Sequence, residues 1–213
     1  MSKSLTTLIA NVQAMLLDDG TRYTTATVTA AVRAALKEIN QRAPINAAEI
    51  TAAVDDQLDY EIDDPTAIHI TDILLRDDDG DEHVSLTFDR YNEDERLFFR
   101  LRFAQSSSDY LIERYTIPYI VNGLDSQVES TLPAFYDDVL IDGACFYCVQ
   151  IRSVGRVETI NLNQGVPESL ITPLRIFRTA FDRGINLMAR YKLAPISEPD
   201  QRAWNDNYHW WGQ

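Results

Sequence analysis

Cysteine and histidine are scarce in this sequence, which has two cysteines and three histidines in 213 residues. Both cysteines, Cys145 and Cys148, fall in one apolar segment. A disulfide framework needs more cysteines, and a zinc site needs about four ligands at short spacing. The histidines, His69, His83 and His209, are not paired at ligand spacing. We therefore expect two reduced thiols in the core, with redox or metal use as the alternative.

Basic residues and long apolar runs are also in short supply. Lys and Arg number 19 against 33 Asp and Glu, a formal net charge of −14. An acidic chain disfavours sequence-independent binding to nucleic-acid phosphates and to anionic membrane surfaces. No stretch approaches the length of a membrane span, and the first 15 residues lack a secretory signal pattern. We expect a protein made in the cytoplasm, folded around its 45% of hydrophobic residues.

The segment Leu132–Arg156 carries the strongest helical pattern and predicts a central helix. Thr131 is expected to cap it, and Pro133 is tolerated in a first turn. Its acidic residues, Asp137, Asp138 and Asp142, fall on a narrow polar side. The apolar face comprises Leu132, Phe135, Tyr136, Val139, Leu140, Gly143, Phe146, Tyr147 and Ile151. A face this wide requires other helices packed around it.

Three further helices are predicted around this one. Ser4–Leu17 and a helix capped by Thr24 or Thr25 should form an antiparallel hairpin, because the link between them is short. A last helix places Pro173 in its first turn and pairs Arg178 with Asp182 one turn later. Its apolar stripe consists of Leu170, Leu174, Phe177, Phe181, Ile185, Met188 and Tyr191.

Between the helical segments the apolar period changes to two, which predicts antiparallel strands. The predicted strands are Ile50–Val54, Leu58–Ile62, Ile68–Arg76, His83–Phe88, Arg96–Phe103 and Tyr110–Ile117. The fold class is therefore α+β. An antiparallel helical bundle from residues 1–45 and 128–194 holds a β-sandwich-like insert at residues 46–127, and residues 195–213 form an extended aromatic arm.

Two groups of acidic residues are candidate sites. Asp77–Asp81 resembles half of a calcium loop, but the required glycine and glutamate positions are Glu82 and Phe88. A solvated hairpin tip is favoured over a weak divalent-cation site. Asp138 and Asp142 lie one turn apart, which suits a hydrated face or ion pairs to arginines of a neighbouring helix or subunit. Acid–base or metal chemistry is the alternative, as in a metal-dependent enzyme or binding protein.

No glycine-rich phosphate loop, serine elbow or zinc-protease helix motif is present in the sequence. We therefore expect no catalytic residue, no cofactor and no metal. The unusual feature is the tail, where all three tryptophans fall in the last ten residues. Exposed aromatic residues are enriched at interface hot spots, so Trp204, Tyr208, Trp210 and Trp211 predict an arm that docks into a partner. The alternative is a tail that folds back on its own domain.

These features together resemble the head-to-tail adaptor, or connector, proteins of tailed bacteriophages. The likeness consists of a helical hairpin whose second helix follows Tyr23-Thr24, a β-rich middle ending near Tyr110–Ile117, and the motif Leu132-Pro133-Ala134-Phe135-Tyr136 opening a long helix. A final long helix and a tail follow. The match covers most of Leu5–Leu193.

The resemblance implies a structural virion protein rather than an enzyme. It implies a homo-oligomeric ring, commonly of twelve copies, beneath the portal protein, with a tail or second adaptor protein as the next partner. The C-terminal arm would dock into the portal, and genomic DNA would pass through the lumen without specific binding. A protein that completes the tail rather than the head is the structural alternative.

Overall fold

The computed structural model describes residues 3–18, 20–76, 83–94, 96–159 and 168–190. Within these residues the fold is α+β, with four α-helices and two antiparallel sheets. The helices are α1 (Leu5–Met15), α2 (Thr25–Arg42), α3 (Asp137–Thr159) and α4 (Glu168–Arg190). The strands are β1 (Ile45–Ala52), β2 (Asp59–Glu61), β3 (His69–Arg76), β4 (His83–Ser85), β5 (Phe88–Glu93), β6 (Arg96–Leu101) and β7 (Tyr110–Ile117).

Side-chain caps set the start of the first two helices. The Ser4 hydroxyl accepts a hydrogen bond from the Thr7 N–H at 3.4 Å, and the Thr24 hydroxyl accepts one from the Thr27 N–H at 3.3 Å. Each cap satisfies one of the N–H groups that the first turn of a helix leaves without a partner. The predicted start of each helix is thus confirmed to within one residue.

The helical core is built around α3, which contacts α1, α2 and α4. The contact of Gly143 with Phe181 and that of Val139 with Gly184 show that α3 and α4 run antiparallel. A Cβ placed on Gly143 would lie 2.5 Å from the Phe181 ring, and one on Gly184 would lie 2.7 Å from Val139. Glycine at these two positions therefore lets the helices approach closely.

The start of the central helix differs from the prediction. A single 3₁₀ turn, Ala134–Tyr136, precedes α3, and the Thr131 hydroxyl accepts a hydrogen bond from the Ile120 N–H at 2.9 Å instead of capping the helix. Phe135 and Ile151, which were predicted on the apolar face, are 63% and 46% exposed. Periodicity showed that the segment is apolar nearly all round, but it did not show which flank lacks a neighbouring helix.

Pro173 also differs from the prediction, because α4 begins at Glu168 and the proline lies inside the helix. A proline has no N–H, so the carbonyl of residue 169 receives no hydrogen bond from it. The helix continues through this position, and the buried residues of its inner face follow: Phe181, Ile185 and Met188. This burial compensates for the missing backbone hydrogen bond.

The strands form two sheets, ordered β1-β7-β3-β4 and β2-β6-β5. The predicted strand His83–Phe88 was wrong as a single element. His83–Ser85 pairs with β3 in the first sheet, whereas Phe88 begins β5, which pairs with β6 in the second. Phe103 was predicted to face inward, but β6 ends at Leu101 and Phe103 is 78% exposed. One cluster of buried residues from both sheets, including Tyr60 stacked on Phe99, forms the β core.

The chain after β7 ties the two cores together. Tyr119, Val121 and Leu124 are buried in the helical core. The Asn40 side chain on α2 donates a hydrogen bond to the Tyr119 carbonyl at 3.0 Å and accepts one from the Tyr119 N–H at 2.7 Å. These two hydrogen bonds fix the chain that follows β7 against α2. The division at residues 46, 127 and 195 stays a prediction.

Candidate interaction site

A groove of about 610 Å³ runs between α3 and α4 on the face away from α2. Its floor is apolar, formed by Val139 of α3 and by Ile176, Ala180 and Leu187 of α4. Ile176 is 57% exposed and Leu187 is 44% exposed, although both lie on a helix whose opposite face is buried. Helix α4 therefore has a second apolar stripe, which is partly exposed along the groove.

The acidic wall of the groove comes from the start of α3. Asp137 lies beneath it, buried, and accepts a hydrogen bond from the Lys3 N–H at 3.1 Å. Asp138 is exposed and lies 3.5 Å from the Lys3 ammonium, so its partner is a lysine of the N-terminal segment and not an arginine. Burial, together with the Asp138 charge, raises the pKa of Asp142. Asp142 has no ion partner within the described residues.

The opposite wall is basic. Arg175 and Arg183 of α4 line the groove, and neither has an ion partner among the residues that the structure describes. The groove thus carries unpaired charges of both signs on either side of an apolar floor. The described chain contains no group of three or more His, Cys, Asp or Glu placed to hold a metal ion. Such a groove suits a protein surface as its occupant.

Arg178, which lies between the two groove arginines, points instead into an ion network. It donates hydrogen bonds to both Glu38 oxygens at 2.9 and 3.0 Å and to Asp182 at 2.8 Å, which confirms the predicted pair. Arg42 also bonds Glu38 at 2.8 Å, and the Tyr147 hydroxyl donates to Glu38 at 2.7 Å. Burial would raise the pKa of Glu38, but these hydrogen bonds offset it and hold the pKa below its usual value. The network joins α2, α3 and α4.

Replacing Arg178 with methionine should lower the free energy of unfolding by about 1–2 kcal/mol, because Glu38 loses its bidentate partner while remaining mostly buried. The urea midpoint, at unchanged slope, measures this loss. Arg175→Met is the matched control, since Arg175 lies on the same helix without an ion partner in the described chain. Equal midpoints for the two variants would contradict a stabilising role for the network.

The two cysteines are buried and free, as predicted for core thiols. Burial raises the pKa of the Cys145 thiol and raises that of Cys148 to about 12. A reactive thiol needs a lowered pKa and access to solvent. Neither condition holds here, so the thiols are inert packing groups.

Glu113 is a buried acid that was not predicted from the sequence. It lies on the central strand β7 with no exposed surface, and neither carboxylate oxygen has a hydrogen-bond partner among the described residues. Burial raises its pKa to about 7, opposed by the nearby Thr51 side chain, which does not reach hydrogen-bond distance, and helped by the Glu49 and Asp63 charges. The signal was present in the alternation Leu111-Glu113-Tyr115, which puts the acid on the inward face of the strand.

The predicted portal-docking residues, Trp204, Tyr208, Trp210 and Trp211, lie outside the described residues, and so does the acidic tip Asp77–Asp81. Of the predicted acidic pair, the structure brings Asp138 and Asp142 to one wall of the groove. The apolar floor was not predicted, although Ile176, Ala180 and Leu187 recur at helical spacing in the sequence, and neither was the basic wall of Arg175 and Arg183. No described helix is long and apolar enough to cross a membrane.

Comparison with known proteins gives no matching family model and no matching curated protein. Solved chains from gene transfer agent particles are similar over part of their length. One from the neck of an empty particle, computed with C6 symmetry, has 16% identity and a TM-score of 0.29, covering 58% of this chain and 66% of its own. One from the virion of the native particle has 11% identity and a TM-score of 0.30, covering 72% and 77%.

A third, from the neck of the native particle computed with C12 symmetry, has 13% identity and a TM-score of 0.27. It covers 83% of this chain and 91% of its own. TM-scores below 0.5 do not establish a common fold, so these likenesses carry no argument about the function of this chain.

Proposed function

We propose that this chain is a structural protein of a tailed-phage virion, a head-to-tail adaptor placed between the portal and the tail. The order of its elements supports this role. A capped helical hairpin leads into antiparallel sheets that end with Tyr110–Ile117, and Leu132-Pro133-Ala134-Phe135-Tyr136 then opens the helix that all other described helices contact. That central helix, in the position that the resemblance requires, is the observation on which the proposal depends.

The adaptor works as a homo-oligomeric ring, of twelve copies in the form the resemblance implies. The ring is bound above by the portal protein and below by a tail or second adaptor protein. The net charge of −14 suits a lumen through which genomic DNA slides, because the chain carries too few cations to hold phosphates tightly. Trp204, Tyr208, Trp210 and Trp211 supply the portal contact, since buried tryptophan and tyrosine dominate the binding energy of many interfaces.

The test is co-sedimentation of the purified full chain with DNA-filled heads that lack tails. We expect saturable binding that falls by at least about 30-fold for the double variant Trp210→Ala, Trp211→Ala, since two hot-spot side chains contribute roughly 1–2 kcal/mol each. The matched control is Trp210→Phe, Trp211→Phe, which keeps aromatic surface and should retain most of the binding.

Binding of the wild type to isolated tails and not to heads would replace this function with tail completion. Unimpaired head binding by the alanine variant would contradict the docking role of the C-terminal arm but would still support the adaptor function. Stoichiometric metal on the purified chain, with a chelator lowering its stability, would favour a metal-dependent protein. These three results are distinguishable within one set of preparations.

A further inference from the structure

The two walls of the α3/α4 groove lie at the same height along the helices. Val139 and Gly184 are in contact, so Asp138 and Asp142 on α3 lie level with Arg183 on α4. The acidic wall belongs to one helix and the basic wall to its antiparallel neighbour. A face with this arrangement is self-complementary under a two-fold axis that runs parallel to the helices, because this rotation places α3 of one copy over α4 of the other.

We propose that this groove face binds the same face of a second copy of the chain, forming a two-fold dimer. In the dimer, Asp138 and Asp142 of one protomer oppose Arg183 of its partner, and the same contact occurs twice. Charge complementarity favours this occupant. Asp142 and Arg183 have no ion partner in the described residues. A second copy supplies both partners, because its Arg183 faces Asp142 and its Asp142 faces Arg183.

The apolar floor adds the non-directional part of the interface. Ile176 and Leu187, which line the floor of the groove, are 57% and 44% exposed. Helices α3 and α4 of one copy stack on α3 and α4 of the other across the two-fold axis. The four helices then form two layers, with these side chains between the layers. The small side chain of Ala180 on the floor leaves room for the side chains of the facing copy.

This dimer does not rest on the adaptor function, because it needs neither portal nor tail. If the chain also forms a ring, the ring must use other faces, since a cyclic ring joins two different surfaces of each copy. The dimer is then the form that the protein takes away from the particle.

Sedimentation velocity of the purified full chain, from micromolar to sub-millimolar concentration, tests the proposal with two charge reversals. Arg183→Glu and Asp142→Lys should each weaken the dimer by about 100-fold, because each places like charges opposite one another at two sites. Mixing the two variants should restore dimerisation to near the wild-type level, since both ion-pair sites in the mixed dimer are again matched. Circular dichroism confirms that each variant is folded.

Leu187→Asn is the second probe, should a charge reversal prevent folding, and Leu187→Met is its control. The first should weaken the dimer by about 10-fold, and the second should leave it unchanged. A wild type that stays monomeric, a mass above two copies, or variants that fail to complement one another would each overturn the two-fold arrangement. A monomer whose groove is covered by its own residues 191–213 is among the overturning outcomes.

Discussion

Replacing Phe181 with alanine is expected to lower the free energy of unfolding by about 3–5 kcal/mol, the usual cost of deleting a fully buried ring. Phe181 has no exposed surface, and its ring fills the space beside Gly143. Because glycine has no side chain, nothing on α3 at this position can fill the space that the ring would leave. The cavity would therefore open where α4 packs against α3 at Gly143. The melting temperature should fall accordingly, by about 6–20 °C for a chain of this size.

Phe135→Ala is the matched control, because it deletes the same ring at a 63% exposed position. We expect it to cost less than about 1 kcal/mol. Gly143→Ala should also destabilise the wild type, and Phe181→Leu should partly relieve that effect in the double variant. A Phe181→Ala variant as stable as Phe135→Ala would mean that the helices do not meet as described.

Replacing Glu113 with glutamine is expected to raise the free energy of unfolding by up to about 3 kcal/mol at pH 8 and to leave it nearly unchanged at pH 4.5. Burial raises the pKa of Glu113 from 4.5 to about 7 in the folded protein. The folded state therefore holds a proton that the unfolded state has lost between these values. The wild type should lose stability as pH rises from 4.5 to 7, and the variant should lack this slope.

Urea unfolding across that pH range measures the difference. Glu49→Gln is the control, since Glu49 faces Glu113 across the β1–β7 pair but is only half-buried. Its pKa is raised by the same cause, burial, so it should give a smaller change of the same sign. Parallel stability curves for wild type and Glu113→Gln would show that the carboxyl is not neutral in the folded protein.

Local chemistry explains why much of the fold could be predicted. Ser4 and Thr24 cap their helices, and alternate residues of Tyr110–Ile117 are buried as far as Tyr115, so these elements follow from near neighbours in the chain. The split after Ser85 could not be predicted, because it depends on which distant strand each half pairs with. Strand β4 pairs with β3, and β5 pairs with β6.

The candidate site was only half predictable for a related reason. Asp138 and Asp142 are neighbours on one helix, so their shared face follows from spacing alone. Arg183 joins them only because α4 packs antiparallel against α3 at a height set by the contacts of Gly143 and Gly184. Glu113 alternates inward by pattern, but its burial depends on the second sheet covering that face.

The junction between the two cores has a mechanical consequence. Ile45 pairs with Ile117, so both crossings from the helical core enter the sheet at the same end of the same ladder. Asn40 extends that ladder onto α2 by bonding both backbone groups of Tyr119. A force on this sheet is therefore transmitted to α2 through hydrogen-bonded backbone, without an unpaired linker between the sheet and the helix. A displacement of the sheet that contains β1 and β7 is therefore expected to move α2 with it.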